Sequence, residues 1–515
     1  MNSSPFIVEP ATGVARFVNR LRRPYVLLSA LLLLISAGIL VYSQTMAFVW
    51  DEGFHLVTAR LIEQGKTPYI DFCFPQTLVN AYFNAAVLRA FGDNWHVPHV
   101  FDALFVIGAV VLTADFIYRR FPVPRWRFAC AVLVACFVGL DCIVVQFGTI
   151  AQAYGSGLFF STAAFRCALS AFESKSLWPA FLCGLMGAAA AGGTLLAAPL
   201  IPVLFLWIFF ANRAGNRWAK TIAFALAAVI PFAPEIALLI RAPQQTWFNV
   251  VRYQALFRRV NWGDANTHDV DVLSDWLINA QALLLGLLAV GGFFFIRKRS
   301  NWTREQRAPF YLAAWLSLAL GVYIATAHPT FGRYFIFMIP FVAVLAAVGF
   351  YAAGSLLFSP DRPAWPLGIL CLIVALTLGR ALFDERDSIS WYDYEDIARK
   401  IKAVTPPGGN FLADEVIYFI LQRNPPPGFE FSYSHKLTLP RNQEALYHVV
   451  SEAEVRQMIQ AGFFYTVESC KDDFEQDMRL EQLFPHKKDV TDDCTVYWGK
   501  VKPLPPANKP SDSKS

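Results

Sequence analysis

Two carboxylates stand side by side at Asp51 and Glu52, directly after an almost uninterrupted apolar run, in the stretch VWDEGFHLVTARLIEQGKTPYIDFCFPQ at 49–76. Adjacent carboxylates at the edge of hydrocarbon hold protons more tightly than isolated ones. Such a group suits a general base acting on a hydroxyl. The bland alternative is a solvated helix start with Asp51 as N-cap. Asp71, in the turn-like PYIDFCFPQ that ends on Gln76, either faces the same cleft or is a loop carboxylate without a role. His55 follows the pair by three or four residues, a spacing that would complete a divalent-cation site on one helical face; a plain interfacial histidine fits it too. A second constellation, AHPTFGRYFIFMIPFVAVL at 327–345, sets His328, Arg333 and Tyr334 at the mouth of an apolar segment. Arginine suits bidentate contacts to a lipid head-group phosphate. Its simpler role there is an interfacial anchor.

The elements that must hold these groups are set by composition. The chain is 56% hydrophobic and 16% charged, with a mean hydropathy of +0.40, so it is an integral membrane protein. Apolar runs of spanning length recur at 25–48, 97–118, 127–148, 153–172, 177–194, 196–212, 219–240, 276–296, 308–326, 334–356 and 365–383, about eleven in all. Basic residues fill alternate loops: Arg16, Arg20, Arg22 and Arg23 before the first run, then Arg119 to Arg127, Arg166 with Lys175, Arg213 to Lys220, and Arg297 to Arg307. That alternation predicts a cytoplasmic N-terminus, residues 1–24, and places residues 49–96, 241–275 and everything after 384 outside. The first run is long and lacks an A-x-A-like cleavage site, so it is expected to be a retained anchor.

The expected fold is thus membrane all-α over 25–383, with a small α/β domain at 384–502 and a disordered Pro- and Ser-rich tail at 503–515. In the first outside segment, GFHLVTARLIEQG has helical spacing with Arg60, Glu63 and Gln64 on its polar side, which predicts a helix lying in the interface. A second short helix is expected over TLVNAYFNAAVLRAFG. The segment NVVRYQALFRRVNWGDANTHDVDVL reads as a lid-like loop or an ordinary polar one. Cys470 and Cys494 fall in the outside domain, where an oxidising compartment permits a disulfide. The other ionisable groups near hydrocarbon, Asp102, Asp141 and Glu235, also gather toward the outer boundary, with Asp115 the exception. The net charge of +5 is carried by the cytoplasmic loops, so nucleic acid is not an expected partner. No nucleotide-binding, HExxH or GxSxG motif occurs in a credible context.

WDEGFHLVTARLIEQGKTPYIDF at 50–72 and RYFIFMIPFVAVL at 333–345 resemble the polytopic glycosyltransferases of the C-type fold, near the bacterial branch similar to protein O-mannosyltransferases and lipid A aminoarabinose transferases. The resemblance implies a donor sugar carried on a polyprenyl phosphate, an envelope acceptor, and a multi-pass chain in the bacterial inner membrane with its C-terminal domain extracytoplasmic. It also implies Asp51 in the place of the catalytic acidic residue, Glu52 as its pair and Arg333 near the donor phosphate. The sequence departs from the family where PYIDFCFPQTL replaces a Pro-Pro-Leu-like ending, around Gln76. A divalent cation is the one cofactor left open. The competing class, a transporter or flippase of an envelope lipid, calls for polar residues along a midplane path.

Reporter fusions at residues 215, 300 and 400 test the orientation. A reporter active only outside should work at 400 alone; activity at 215 or 300 would overturn the topology.

Overall fold

The structure, a computed structural model, describes residues 24–45, 49, 51–260, 265–298, 301–357, 364–386, 388–470 and 472–501. The expected N-terminal segment up to residue 23, Trp50 and the expected disordered tail lie outside the described residues. A helix forms at every expected span. In chain order come α1 (Pro24–Thr45), the short α2 (Glu52–Glu63) and α3 (Val79–Phe91), then α4 (His96–Arg120), α5 (Arg127–Gly139), α6 (Cys142–Gly148), α7 (Ala153–Glu173), α8 (Trp178–Gly193) and α9 (Leu200–Phe210). Next are α10 (Arg217–Val229) with α11 (Ala233–Arg241), the short α12 (Pro243–Trp247), α13 (Tyr253–Val260) and α14 (Ala265–Ile278), and then α15 (Ala280–Lys298), α16 (Arg304–Ala325), α17 (Ile339–Leu357) and α18 (Ala364–Asp384). Among the described residues seven helices are long and apolar enough to cross a membrane, or eight if the pair α5 and α6, bent by 50°, is one span. The expected spans at 177–194 and 196–212 form shorter apolar helices.

A bend inside hydrocarbon leaves backbone groups that must find partners. At the α5–α6 break, Gln281 of α15 donates to the carbonyls of Leu140 (2.9 Å) and Val374 (3.0 Å) and accepts from the Cys142 N–H (3.0 Å). Asp141 caps α6 by accepting from the Ile143 and Val144 N–H groups.

The C-terminal domain begins with α19 (Trp391–Val404), whose Ser390 and Asp393 form a capping box. Its sheet has β1 (Phe411–Leu412), β2 (Thr466–Ser469), β3 (His486–Asp489) and β4 (Thr495–Trp498) in the order β1-β2-β4-β3. β1 runs parallel to β2, and the other pairs are antiparallel with Val467 opposite Tyr497 and Lys488 opposite Val496. Helices α20 (Glu415–Ile420), α21 (Arg441–Tyr447) and α22 (Glu452–Gln460) lie between β1 and β2, and Cys470 and Cys494 are disulfide-bonded beside β2 and β4. The unexpected strand β3 is HKKD, exposed throughout, so it carries no alternation to betray it. Its lysines are the kind of residue that blunts a sheet edge.

The three segments that charge alternation puts on one side share a single core. Phe54, Phe74 and Trp95 from the first, Phe248 and Tyr253 from the second, and Trp391, Tyr418 and Phe431 from the C-terminal domain all belong to it. This packing corrects two expectations. The polar side of α2 is only partly wet: Glu63 and Gln64 are exposed, but Arg60 is buried, donating to the carbonyls of Tyr418 and Phe419 at the end of α20 and to the Asn424 side chain. A cation at a helix C-terminus is favoured by the exposed carbonyl dipoles. Within the expected lid-like loop the described residues on either side of 261–264 are helical, with a π-helical turn at Phe248–Arg252 between α12 and α13.

α20 can approach α2 this closely because residue 53 is glycine. A Cβ there would lie 2.6 Å from the Val416 backbone nitrogen. Backbone cannot step aside as a side chain can, so Gly53→Ala should cost ~1–3 kcal/mol. The expected readout is a lower thermal midpoint and faster protease release of the C-terminal domain. Gly38→Ala, whose Cβ meets nothing within 4 Å, is the control; equal behaviour of the two variants would contradict the docking.

Candidate active site

The two carboxylates of the Asp51–Glu52 pair turn opposite ways. Glu52 is fully buried. Its Oε1 lies 2.5 Å from His99 Nε2 and accepts from the Ala151 N–H (2.8 Å), while Oε2 accepts from the Trp391 indole (3.2 Å). His99 Nδ1 faces the Ser43 carbonyl (2.9 Å), which can only accept, so Nδ1 carries a proton. On the other side of the ring, Nε2 makes a short hydrogen-bonded contact with the Glu52 carboxyl. Glu52 therefore ties α2 to α4, to the start of α7 and to the C-terminal domain, and it does not line the cavity beside Asp51.

Asp51 sits at the N-cap position of α2, yet its side chain makes no capping bond. Gln152 caps instead: with its amide turned to satisfy both groups, its oxygen accepts from the Asp51 and Glu52 N–H groups at 3.2 Å each. Released from that duty, Asp51 Oδ1 accepts from the Tyr433 hydroxyl (2.6 Å) and Oδ2 from Arg333 Nη2 (3.2 Å). Burial, and then the neighbouring Asp51 charge, push the Tyr433 phenol up, which keeps it a donor. Arg333 also donates through Nε to the Tyr154 hydroxyl (3.3 Å), and its guanidinium lies over Phe331, 4.4 Å from the ring centroid, with Tyr334 and Phe147 close by. Cation–π contacts with these rings favour one placement of the guanidinium.

A cavity of about 360 Å³ opens onto Asp51 and Arg333, walled by His55, Gln76, Thr77, Gln152, Tyr154, Thr194, Gln254 and Tyr334 among others. Among the described residues lining it, Asp51 is the one carboxylate and Arg333 the one permanent cation. The segment carrying Gln76 is held from several sides. Glu235 accepts from the Leu78 N–H (2.7 Å), Asn249 from the Phe74 N–H (2.8 Å), Gln254 donates to the Pro75 carbonyl (2.8 Å), and Tyr69 donates to the Gln76 carbonyl (2.6 Å). His55 is buried against Phe54 and Phe74, and burial pulls its imidazole down to about 3, so it is neutral at physiological pH. Its Nδ1 has no hydrogen-bond partner among the described residues.

The structure thus brings Asp51, His55, Gln76, Arg333 and Tyr334 to one cavity. It does not bring Asp71 or His328. Asp71 is exposed and accepts from the Thr67 N–H (2.6 Å), closing its own turn. His328 is bound through Nδ1 to Asp269 (2.7 Å), which also accepts from the Thr330 N–H (2.7 Å), so it braces the segment leading to Arg333. The metal set imagined from Asp51, Glu52 and His55 does not form, because Glu52 is turned into the protein and Asp51 toward Arg333. Among the described residues one group has ligand spacing, Glu468 with Cys470 and Cys494, and its two sulfurs are already bonded to each other. Asp115 pairs with Arg119 and Arg166 far along α4.

Gln152, Tyr154 and Tyr433 were missed in the sequence. For the first two a signal existed: IAQAYGSG at 150–157 is a polar opening to an apolar run at the expected outer boundary. Tyr433 had none, being 382 residues from Asp51 in the chain.

The bundle, the helical segments over its mouth and the small α/β cap define the C-type fold of polytopic membrane glycosyltransferases. It is shared with ArnT from Cupriavidus metallidurans, a lipid A aminoarabinose transferase, at a TM-score of 0.63 and 12% identity over 91% of this chain and 97% of that one. ArnT bound to undecaprenyl phosphate superposes equally well, at 0.63 and 12% over the same shares of the two chains. No family model matches the chain, and no curated protein matches it.

Tyr433 is placed by a second carboxylate. Glu415 is buried and accepts from the Ser432 N–H (2.6 Å), one residue before it. Burial, with Asp414 beside it, pushes the Glu415 carboxyl from 4.5 up to about 8. The folded state then keeps a proton that the unfolded chain gives up, so this group's share of stability falls as pH rises from about 4.5 toward about 8 and levels off above. Glu415→Gln should flatten that decline and raise the thermal midpoint at pH 8. A variant with the unmodified chain's pH dependence would contradict the assignment. Glu430, pushed up to about 7 by burial, leaves a slope of the same sign in both proteins.

Proposed function

We propose that the chain is a glycosyltransferase that moves a sugar from a polyprenyl-phosphate donor to a hydroxyl of an envelope acceptor, on the extracytoplasmic face of the bacterial inner membrane. The observation that carries this reading is the pairing of one carboxylate, Asp51, with one stacked guanidinium, Arg333, in a cavity at the membrane boundary. Asp51 acts as the base. The acceptor O–H gives its proton to the carboxylate as its oxygen bonds to the anomeric carbon, and the bond from that carbon to the phosphate oxygen breaks. The electron pair leaves with the phosphate, whose charge Arg333 offsets. A phosphate is a good leaving group, so one base and one cation suffice for a single displacement with inversion.

His55, Gln76 and Tyr334 are the wall groups offered to the sugar or acceptor hydroxyls, and Glu52 positions Asp51 without touching substrate. ArnT crystallised with undecaprenyl phosphate supports a lipid-linked donor for this fold. The transporter alternative is weakened because the ionisable groups cluster at one boundary and Asp115, at the far end, is paired.

Purified chain given polyprenyl-phosphate sugars and candidate acceptors tests the reading. Asp51→Asn keeps the size and removes the basicity, so it should insert and fold normally yet lose transfer by ~10² or more. Glu52→Gln should hurt less. Arg333→Lys keeps the charge but not the planar fork, and should slow transfer by about tenfold. Near-normal transfer by Asp51→Asn would refute the assignment.

A further inference from the structure

Resting on the transferase reading, we propose that Asp51 occupies the phosphate's place on Arg333 until the donor arrives, and that the incoming phosphate releases Asp51 Oδ2 to take the acceptor's proton while Tyr433 keeps hold of Oδ1. The charge count requires an exchange. Among the described residues lining the cavity, Arg333 is the one arginine or lysine, and it already faces one anion. A phosphate bound at the same guanidinium would set two negative groups against one cation in a half-buried site, where the Arg333 and Asp51 side chains are only 10% and 21% exposed. Like charges at that range repel strongly when little water screens them.

The two bonds to Asp51 are unequal, which decides the one that opens. The Tyr433 contact is short at 2.6 Å, whereas the Arg333 contact is a single one at 3.2 Å, the long end of the normal range. Arg333 cannot follow Asp51 readily, because its contact over Phe331 and its bond to the Tyr154 hydroxyl hold it in place. Asp51 is therefore the mobile partner and Tyr433 its pivot. Once the phosphate is on Arg333, Oδ2 is the proton acceptor. After transfer the phosphate leaves, Asp51 gives up its proton to water and pairs with Arg333 again. The base is thus armed only when a donor is present, which guards the cavity against idle chemistry and orders donor before acceptor. Tyr433 is a positioning residue in this scheme, supplied by the C-terminal domain.

The test is the affinity of the purified full chain, in lipid nanodiscs, for undecaprenyl phosphate, with inorganic phosphate titrated in parallel. Asp51→Asn should bind the lipid more tightly than the unmodified chain, on the order of tenfold, the scale of one charged hydrogen bond. Asp51→Ala should do the same, which guards against a peculiarity of the amide. Tyr433→Phe should leave that affinity and the thermal midpoint unchanged while turnover falls, a split that a merely structural tyrosine would not give. Unchanged or weaker lipid binding by both Asp51 variants would overturn the exchange and leave the transferase reading standing; the phosphate would then meet Arg333 from the second cavity it lines, of about 400 Å³, beside Phe147 and Trp276. Tightening for inorganic phosphate alone would mark a free-phosphate site and overturn the lipid as occupant. Absence of lipid binding by every form would overturn the donor reading together with the exchange.

Discussion

A carboxylate removed from water must find hydrogen bonds, and Glu52 finds them at a junction of four parts of the chain. His99 comes from a membrane helix, the Ala151 N–H from the turn before α7, Trp391 from the C-terminal domain, and Glu52 itself from α2. Stacking of Trp391 on Trp95, 5.0 Å between centroids and 11° from parallel, closes the junction against solvent. Loss of any one partner would leave a buried charge short of a bond, so the four parts are held in one mutual arrangement. The first turn of α2 is thereby fixed in space, and Asp51 with it.

Fixing that turn allows a division of labour between neighbours. Capping the helix would ordinarily consume the Asp51 side chain. Gln152 supplies the cap from another segment, which leaves the carboxylate to face Arg333 and Tyr433. In the proposed reaction this matters because a base must keep a lone pair directed at the substrate. The same economy holds around the cavity, where Glu235, Asn249 and Gln254 bind backbone of the 67–78 segment rather than solvent, so the wall carrying Gln76 is preformed.

Much of this was legible in the sequence, for reasons that differ by residue. Apolar runs located the helices because hydrocarbon imposes length and composition on any segment that crosses it. Asp51 and Arg333 stood out because charge at the edge of such runs is rare. Glu52 was noticed for the same reason, but the local string could not show that it turns inward, since its partners lie 47, 99 and 339 residues away. Arg60 misled because a helical wheel assumes that water surrounds the polar face, and here α20 covers it. Tyr433 was invisible, because what makes it part of the site is the docking of a domain and not any pattern around it.

In the proposed chemistry one carboxylate and one guanidinium carry out one displacement. The direct measurement is the anomeric configuration of the product, by NMR, formed from a polyprenyl-phosphate sugar of known configuration. Asp51 acting only as a base predicts complete inversion. Retention would contradict that role, because a single displacement by the activated acceptor oxygen attacks the face opposite the leaving phosphate and must invert the anomeric carbon.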